Sequence, residues 1–170
     1  MMSQASGYAA TALGYVAAAG GKALLVKEMA QSLDIPPSYL AKIINSLARK
    51  GLIVTQRGIG GGVVLARKAT EITLHDICVA LDDPSVQTMC MLGTAECSDE
   101  RACPAHKFWV GQRNNYMAYL RQMTLADVAA FELRRRSRKA GEGRDLGLML
   151  MGLQGGSKDA FGDLKNANAG

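Results

Sequence analysis

The chain has 170 residues, a formal net charge of +5, 48% hydrophobic residues and only 5% aromatics. That is enough for one compact domain with an aliphatic core and an appended element. It is too polar throughout for a bilayer-spanning run. The first 21 residues carry no charge but lack the basic start of an export signal. The expected location is therefore the reducing cytoplasm, which argues against a disulfide framework for the four cysteines.

Charge is segregated. Residues 22–68 hold eight Lys/Arg and two acids, residues 71–100 seven acids and no base, and residues 101–139 nine bases and two acids. Two basic blocks flanking an acidic one suggest a polyanionic partner for part of the surface.

Ser6–Ala19 is rich in Ala and Leu and reads as a helix ended by Gly20-Gly21. A short helix follows over 26–33, and Asp34-Ile-Pro-Pro37 is a turn. Ser38 is the expected cap of the next helix, which runs to Lys50 and stops at Gly51. Leu40, Ile43, Ile44 and Leu47 form its apolar stripe, opposite Ser38, Lys42, Asn45, Ser46 and Arg49. Helix, tight turn and polar-faced helix make a helix-turn-helix. Strands are expected over 52–57 and 63–66, joined by Gly58-Ile-Gly-Gly-Gly62. A hairpin directly after a recognition helix is a wing. The glycines are not read as a phosphate cradle, since no Lys-Ser/Thr follows them.

Thr73 caps a helix through Leu81, with Asp76 completing a capping box. Cys78 falls on its apolar face and is read as core; His75 falls off that face and is read as solvated. The loop over 82–105 carries Cys90, Cys97 and Cys103, and His106 follows it. The stretch is polar and broken by Gly and Pro, so buried small hydrophobes explain it poorly. Thiolates and an imidazole suit zinc or an iron–sulfur cluster. A long helix over 106–123 places Trp109, Tyr116, Leu120 and Met123 near heptad spacing, either a dimer seam or packing against the chain's own core. Thr124 caps a last helix that ends in the basic run 134–139. Residues 140–170 are glycine-rich without sustained periodicity and are expected to be a disordered tail; Leu146–Leu153 is an apolar patch within it.

The fold expected is mainly α with a small β-wing. A winged helix-turn-helix domain occupies residues 1–81, a ligand loop 82–105 and dimerisation helices 106–139. The combination resembles the Rrf family of bacterial winged-helix transcription regulators over residues 7 to about 130. The resemblance rests on Gly7-Tyr-Ala9, Ser38-Tyr-Leu40, Leu47-x3-Gly-Leu-Ile53, the wing run Arg57–Ala66, Ile72-Thr-Leu74, the Cys/His run, His106-x2-Trp109 and Thr124-Leu-Ala-Asp127.

The resemblance implies a homodimer on a roughly palindromic double-stranded DNA operator, acting as a repressor and not as an enzyme. It implies that Cys90, Cys97, Cys103 and His106 hold a two-iron two-sulfide cluster, as in the IscR-like branch. The NsrR-like branch holds a four-iron cluster with an acidic ligand near the partner's N-terminus, and this chain has no Asp, Glu, His or Cys before Glu28. The DNA-contacting residues implied are Ser38, Tyr39, Lys42, Ser46 and Arg49 on the helix, with Arg57, Gly58, Gly60 and Gly61 on the wing. Three departures stand out. The first Cys spacer is six residues where five is usual, Ala41 replaces the glutamate of the IscR-like branch, and the N-terminus lacks basic residues. The alternatives are a structural zinc or cluster-free site in a DNA-binding regulator, a thiol redox protein, and a winged helix used only for protein contacts.

Overall fold

The computed structural model describes residues 1–93 and 95–141. These fall into two units, Met1–Leu133 and a second from Arg134 onward. Of the expected tail, residues 142–170, including the apolar patch, lie outside the described residues.

Helix α1 spans Gln4–Ala17. It begins two residues earlier than its composition suggests because Ser3 caps it, its Oγ accepting from the Ser6 N–H at 3.3 Å. Helices α2 (Val26–Leu33) and α3 (Pro37–Arg49) form the helix-turn-helix. Ser38 does not cap α3. The helix starts two residues sooner at Pro37, whose fixed φ suits a first helical turn and whose missing N–H leaves one donor fewer to satisfy. Ser38 is left exposed on the outer face.

Strands β1 (Ile53–Gln56) and β2 (Gly62–Leu65) pair antiparallel, with Ile53 opposite Leu65 and Gln56 opposite Gly62. The pair is pinned to the body by Leu24, which exchanges two backbone hydrogen bonds with Val63 at 2.8 and 3.2 Å. Gly62 has φ +153°, and a Cβ there would lie 2.6 Å from the Leu24 carbonyl oxygen. Only glycine fits this crossing.

Helix α4 (Leu74–Ala80) carries the expected capping box between Thr73 and Asp76. Helix α5 spans His106–Gln122 and α6 spans Leu125–Gly141. Thr124 and Asp127 repeat the capping box at the start of α6. The two capped starts are joined by backbone: Leu74 N–H donates to Met123 O at 3.0 Å and Leu125 N–H to Ile72 O at 2.8 Å.

The core gathers Leu13, Met29, Leu40, Ile44, Leu47, Ile72, Ile77 and Cys78 around α3, and extends to Leu120 and Leu125. Three of the four α5 residues read as a possible dimer seam, all but Trp109, serve this core. Leu120 is fully buried, while Tyr116 and Met123 pack against the same cluster. The reason is topological: α5 must return to the start of α4, so its nearest apolar face meets the body of its own chain. Phe108 and Tyr119 remain exposed on another side of α5. His75 is half-buried, not fully solvated. Among the described residues no helix is long and apolar enough to cross a membrane.

Candidate metal centre and nucleic-acid interface

The segment from Thr88 to Cys97 folds back on itself. Cys97 N–H donates to Thr88 O at 2.7 Å, Cys90 N–H to Ala95 O at 3.0 Å, and Thr88 Oγ1 to a Glu96 carboxylate oxygen at 2.5 Å. The Trp109 indole N–H donates to Met89 O at 2.9 Å, tying this hairpin to the second turn of α5. Cys103 precedes Pro104, and its carbonyl accepts from the His106 N–H at 2.9 Å at the start of α5.

These turns bring the four expected donors together as two pairs. Cys90 Sγ lies 4.0 Å from Cys103 Sγ, and Cys97 Sγ lies 3.2 Å from His106 Nδ1. Two thiolates bound at about 2.3 Å to one tetrahedral metal lie about 3.8 Å apart, so the first pair spans the width of one metal's coordination edge. Among the described residues no three of His, Cys, Asp or Glu are arranged to hold one metal ion. The donors are soft sulfur and borderline nitrogen, a set that fits zinc or an iron–sulfur centre.

Sequence reading did not single out Asp99. It begins a single 3-10 turn, Asp99–Arg101, and its carboxylate lies 2.8 Å from His106 Nε2. That contact favours the tautomer with the proton on Nε2, which leaves the Nδ1 lone pair facing Cys97. The thiols differ among themselves. The Leu92 backbone N–H, then Cys103 and Arg101, draw the Cys90 thiol below its ordinary pKa. Burial and the neighbouring Cys90 push the Cys97 thiol up. Cys78 is fully buried among core residues, and burial raises its pKa too.

Asp83 was also missed. It reads as one more acid in an acidic block, yet it is 1% exposed. Its carboxylate accepts from Ser3 N–H at 2.9 Å, Ser3 Oγ at 2.6 Å and Ser85 N–H at 2.9 Å. Burial alone would raise its pKa, but the hydrogen bonds from Ser3, Ser6 and Ser85 win and hold it well below the carboxylate range. It locks the start of the ligand loop to the start of α1.

Helix α3 buries Leu40, Ile43, Ile44 and Leu47 and exposes Ser38, Lys42, Asn45 and Arg49. Ser46 is half-buried and accepts from Arg49 Nη2 at 3.2 Å. Tyr39 is half-buried, edge-on to Tyr8 with ring centroids 5.9 Å apart, so part of its surface is committed to packing. Arg57, Gly58 and Gly60 are exposed on the wing and Gly61 is half-buried. Ile59 at the wing tip is wholly exposed.

A helix-turn-helix followed by a two-stranded wing, with a Cys/His loop on the same chain, defines a winged-helix regulator. The chain belongs to the Rrf2 family: the family model described as "Iron-dependent Transcriptional regulator" matches residues 2–130. It is similar to Protein aau3 of Rhizobium meliloti, 31% identical over 128 residues, covering 75% of this chain and 83% of that one. It is similar to the HTH-type transcriptional regulator IscR of Vibrio atlanticus, 29% identical over 122 residues, 71% of this chain and 70% of that one. The solved structure of CymR, the global cysteine regulator of B. subtilis, matches with TM-score 0.64 at 25% identity, covering 77% of this chain and 97% of that one. The chain is thus a DNA-binding transcriptional regulator by family and by fold.

Proposed function

We propose that this regulator is a homodimeric, cytoplasmic repressor whose hold on DNA is set by a two-iron two-sulfide cluster on Cys90, Cys97, Cys103 and His106. The observation that carries this reading is the grouping of the four donors in two pairs, with His106 turned toward Cys97 by Asp99. Two pairs match two metals better than one. When bound, such a cluster supplies one-electron redox chemistry and a charge that changes with it.

The chain's own residues do the rest. Cys90, Cys97 and Cys103 give up their protons on binding, so affinity for metal falls as the pH is lowered. Asp99 keeps the proton on Nε2 of His106 and Nδ1 available. Trp109 and Asp83 couple the loop to α5 and α1, so a change in loop order biases the winged domain. Ser38, Lys42, Ser46 and Arg49 meet the major groove, with Tyr39 contributing the part of its ring not packed on Tyr8. Arg57, with Gly58, Gly60 and Gly61, approaches the backbone at the adjoining minor groove. Two-fold symmetry gives a roughly palindromic operator with half-sites about one or more helical turns apart.

Anaerobic purification with iron, sulfide and zinc counted per chain tests this. The expected result is a coloured protein with about two irons and two sulfides, colourless in Cys97→Ala and altered in operator affinity. One zinc per chain and no colour would replace the cluster by a structural zinc. A metal-free protein that still binds its operator would leave thiol chemistry as the switch.

A further inference from the structure

A cleft of about 330 Å³ lies between α5 and the segment that leads into the cysteine loop. That is the lower end of the range for ligand pockets, about 300–1,000 Å³. Trp109, Arg113 and Tyr116 line it from α5, where spacings of four and three residues put them on one helix face. Pro84 and Met89 line it from the loop segment. The exposed side of α5, marked by Phe108 and Tyr119, takes no part in it. The Trp109 indole is fixed by its bond to Met89 O at 2.9 Å. Four of these five side chains are largely apolar. The fifth, Arg113, is half-buried, and its Nη1 is buried with no hydrogen-bond partner among the described residues. No carboxylate lines the cleft to neutralise it. A buried cationic donor lacking an acceptor costs free energy, and in a cleft of ligand size that cost is recovered when an acceptor enters.

We propose that this cleft is a binding site for a small organic carboxylate. Arg113 takes the carboxylate, since a guanidinium offers parallel N–H donors that match two carboxylate oxygens. The apolar body lies against Met89, Trp109 and Tyr116. An inorganic anion uses only the guanidinium and leaves the apolar walls unmatched. An uncharged apolar molecule uses only the walls and leaves Nη1 unpaired. The site is independent of what the cysteines hold. It bears on the same loop nonetheless, because an occupant bridges α5 to Met89, the residue before Cys90.

Trp109 is the chain's single tryptophan, so its emission reports on the cleft directly. The full chain is titrated with phenylacetate, with its neutral isostere phenylacetamide and with inorganic phosphate, by Trp109 fluorescence and by calorimetry. Phenylacetate is expected to bind saturably, one per chain, with the amide roughly tenfold weaker and phosphate not saturating in the same range. Arg113→Met is expected to weaken phenylacetate roughly tenfold and to leave the amide unchanged. Equal affinities for carboxylate and amide, or full phenylacetate affinity in Arg113→Met, would overturn the assignment. Phosphate that binds as tightly as phenylacetate makes this an inorganic-anion site and overturns the organic ligand. A wild-type chain that shows no saturable binding of phenylacetate overturns it as well. If circular dichroism shows that Arg113→Met does not fold, the wild-type comparison decides alone: a tenfold preference for carboxylate over amide supports the site, and parity overturns it.

Discussion

Asp83 holds a negative charge in the interior because three donors surround it. Replacing it by Asn exchanges one strong acceptor for an amide that cannot accept from Ser3 and Ser85 alike. We expect Asp83→Asn to cost about 1–3 kcal/mol at neutral pH. The pH dependence follows from the lowered folded pKa. The unfolded carboxyl titrates near about 3.9. Its stabilising contribution is therefore complete above that value and is lost as pH falls toward the lower folded value. Wild-type and variant melting temperatures should differ by a constant amount between about pH 5 and 8 and converge below about pH 4. A gap that widens in acid would show that Asp83 is neutral in the fold. Asp99 and Asp83 teach the same point from opposite sides: one is exposed and reaches a histidine seven positions away, the other is buried and reaches a serine eighty positions away.

Helix contacts depend on residues whose importance is small size. A Cβ on Gly14 would fall onto the Val128 side chain, so α1 and the first turns of α6 meet at a glycine. Gly14→Ala is expected to destabilise by about 1–3 kcal/mol through overpacking, although alanine is the better helix former. Val128→Ala in the same chain should recover most of that loss. Denaturant midpoints of the two single variants and the double variant check the coupling. If the double variant is simply additive, the helices do not touch at this point. The helix ends themselves were legible: Thr73 with Asp76 and Thr124 with Asp127 are capping boxes in sequence and in structure. The start of α3 was not, because proline at the first position removed the need for the Ser38 hydroxyl.

Over the whole molecule, the outer face of α3 and the wing form the basic surface suited to a nucleic-acid backbone. Lys42 and Arg49 are exposed there. If each meets one phosphate, Lys42→Ala should weaken binding to specific and non-specific DNA alike. It should also lower the slope of log affinity against log salt by about 0.9. Loss confined to one operator with an unchanged slope would instead make Lys42 a base reader. Gel shifts or fluorescence anisotropy at several salt concentrations distinguish the two.

Local rules were enough for the helix-turn-helix, the wing and the capped helix starts, because each has a short-range cause: a proline turn, a glycine-rich hairpin or a capping pair. Cys78 was separable from the other three cysteines for the same reason, since it alone lies on an apolar helical face. What only the tertiary structure decided depends on contacts between residues far apart in the chain. Tyr116, Leu120 and Met123 of α5 pack on their own chain, because Met123 and Thr124 return α5 to Ile72 and Leu74. The buried charge of Asp83 is likewise invisible in sequence. Spacing assigns a residue to a helix or a loop, but its burial and its partners are set by whichever distant segments the fold brings against it.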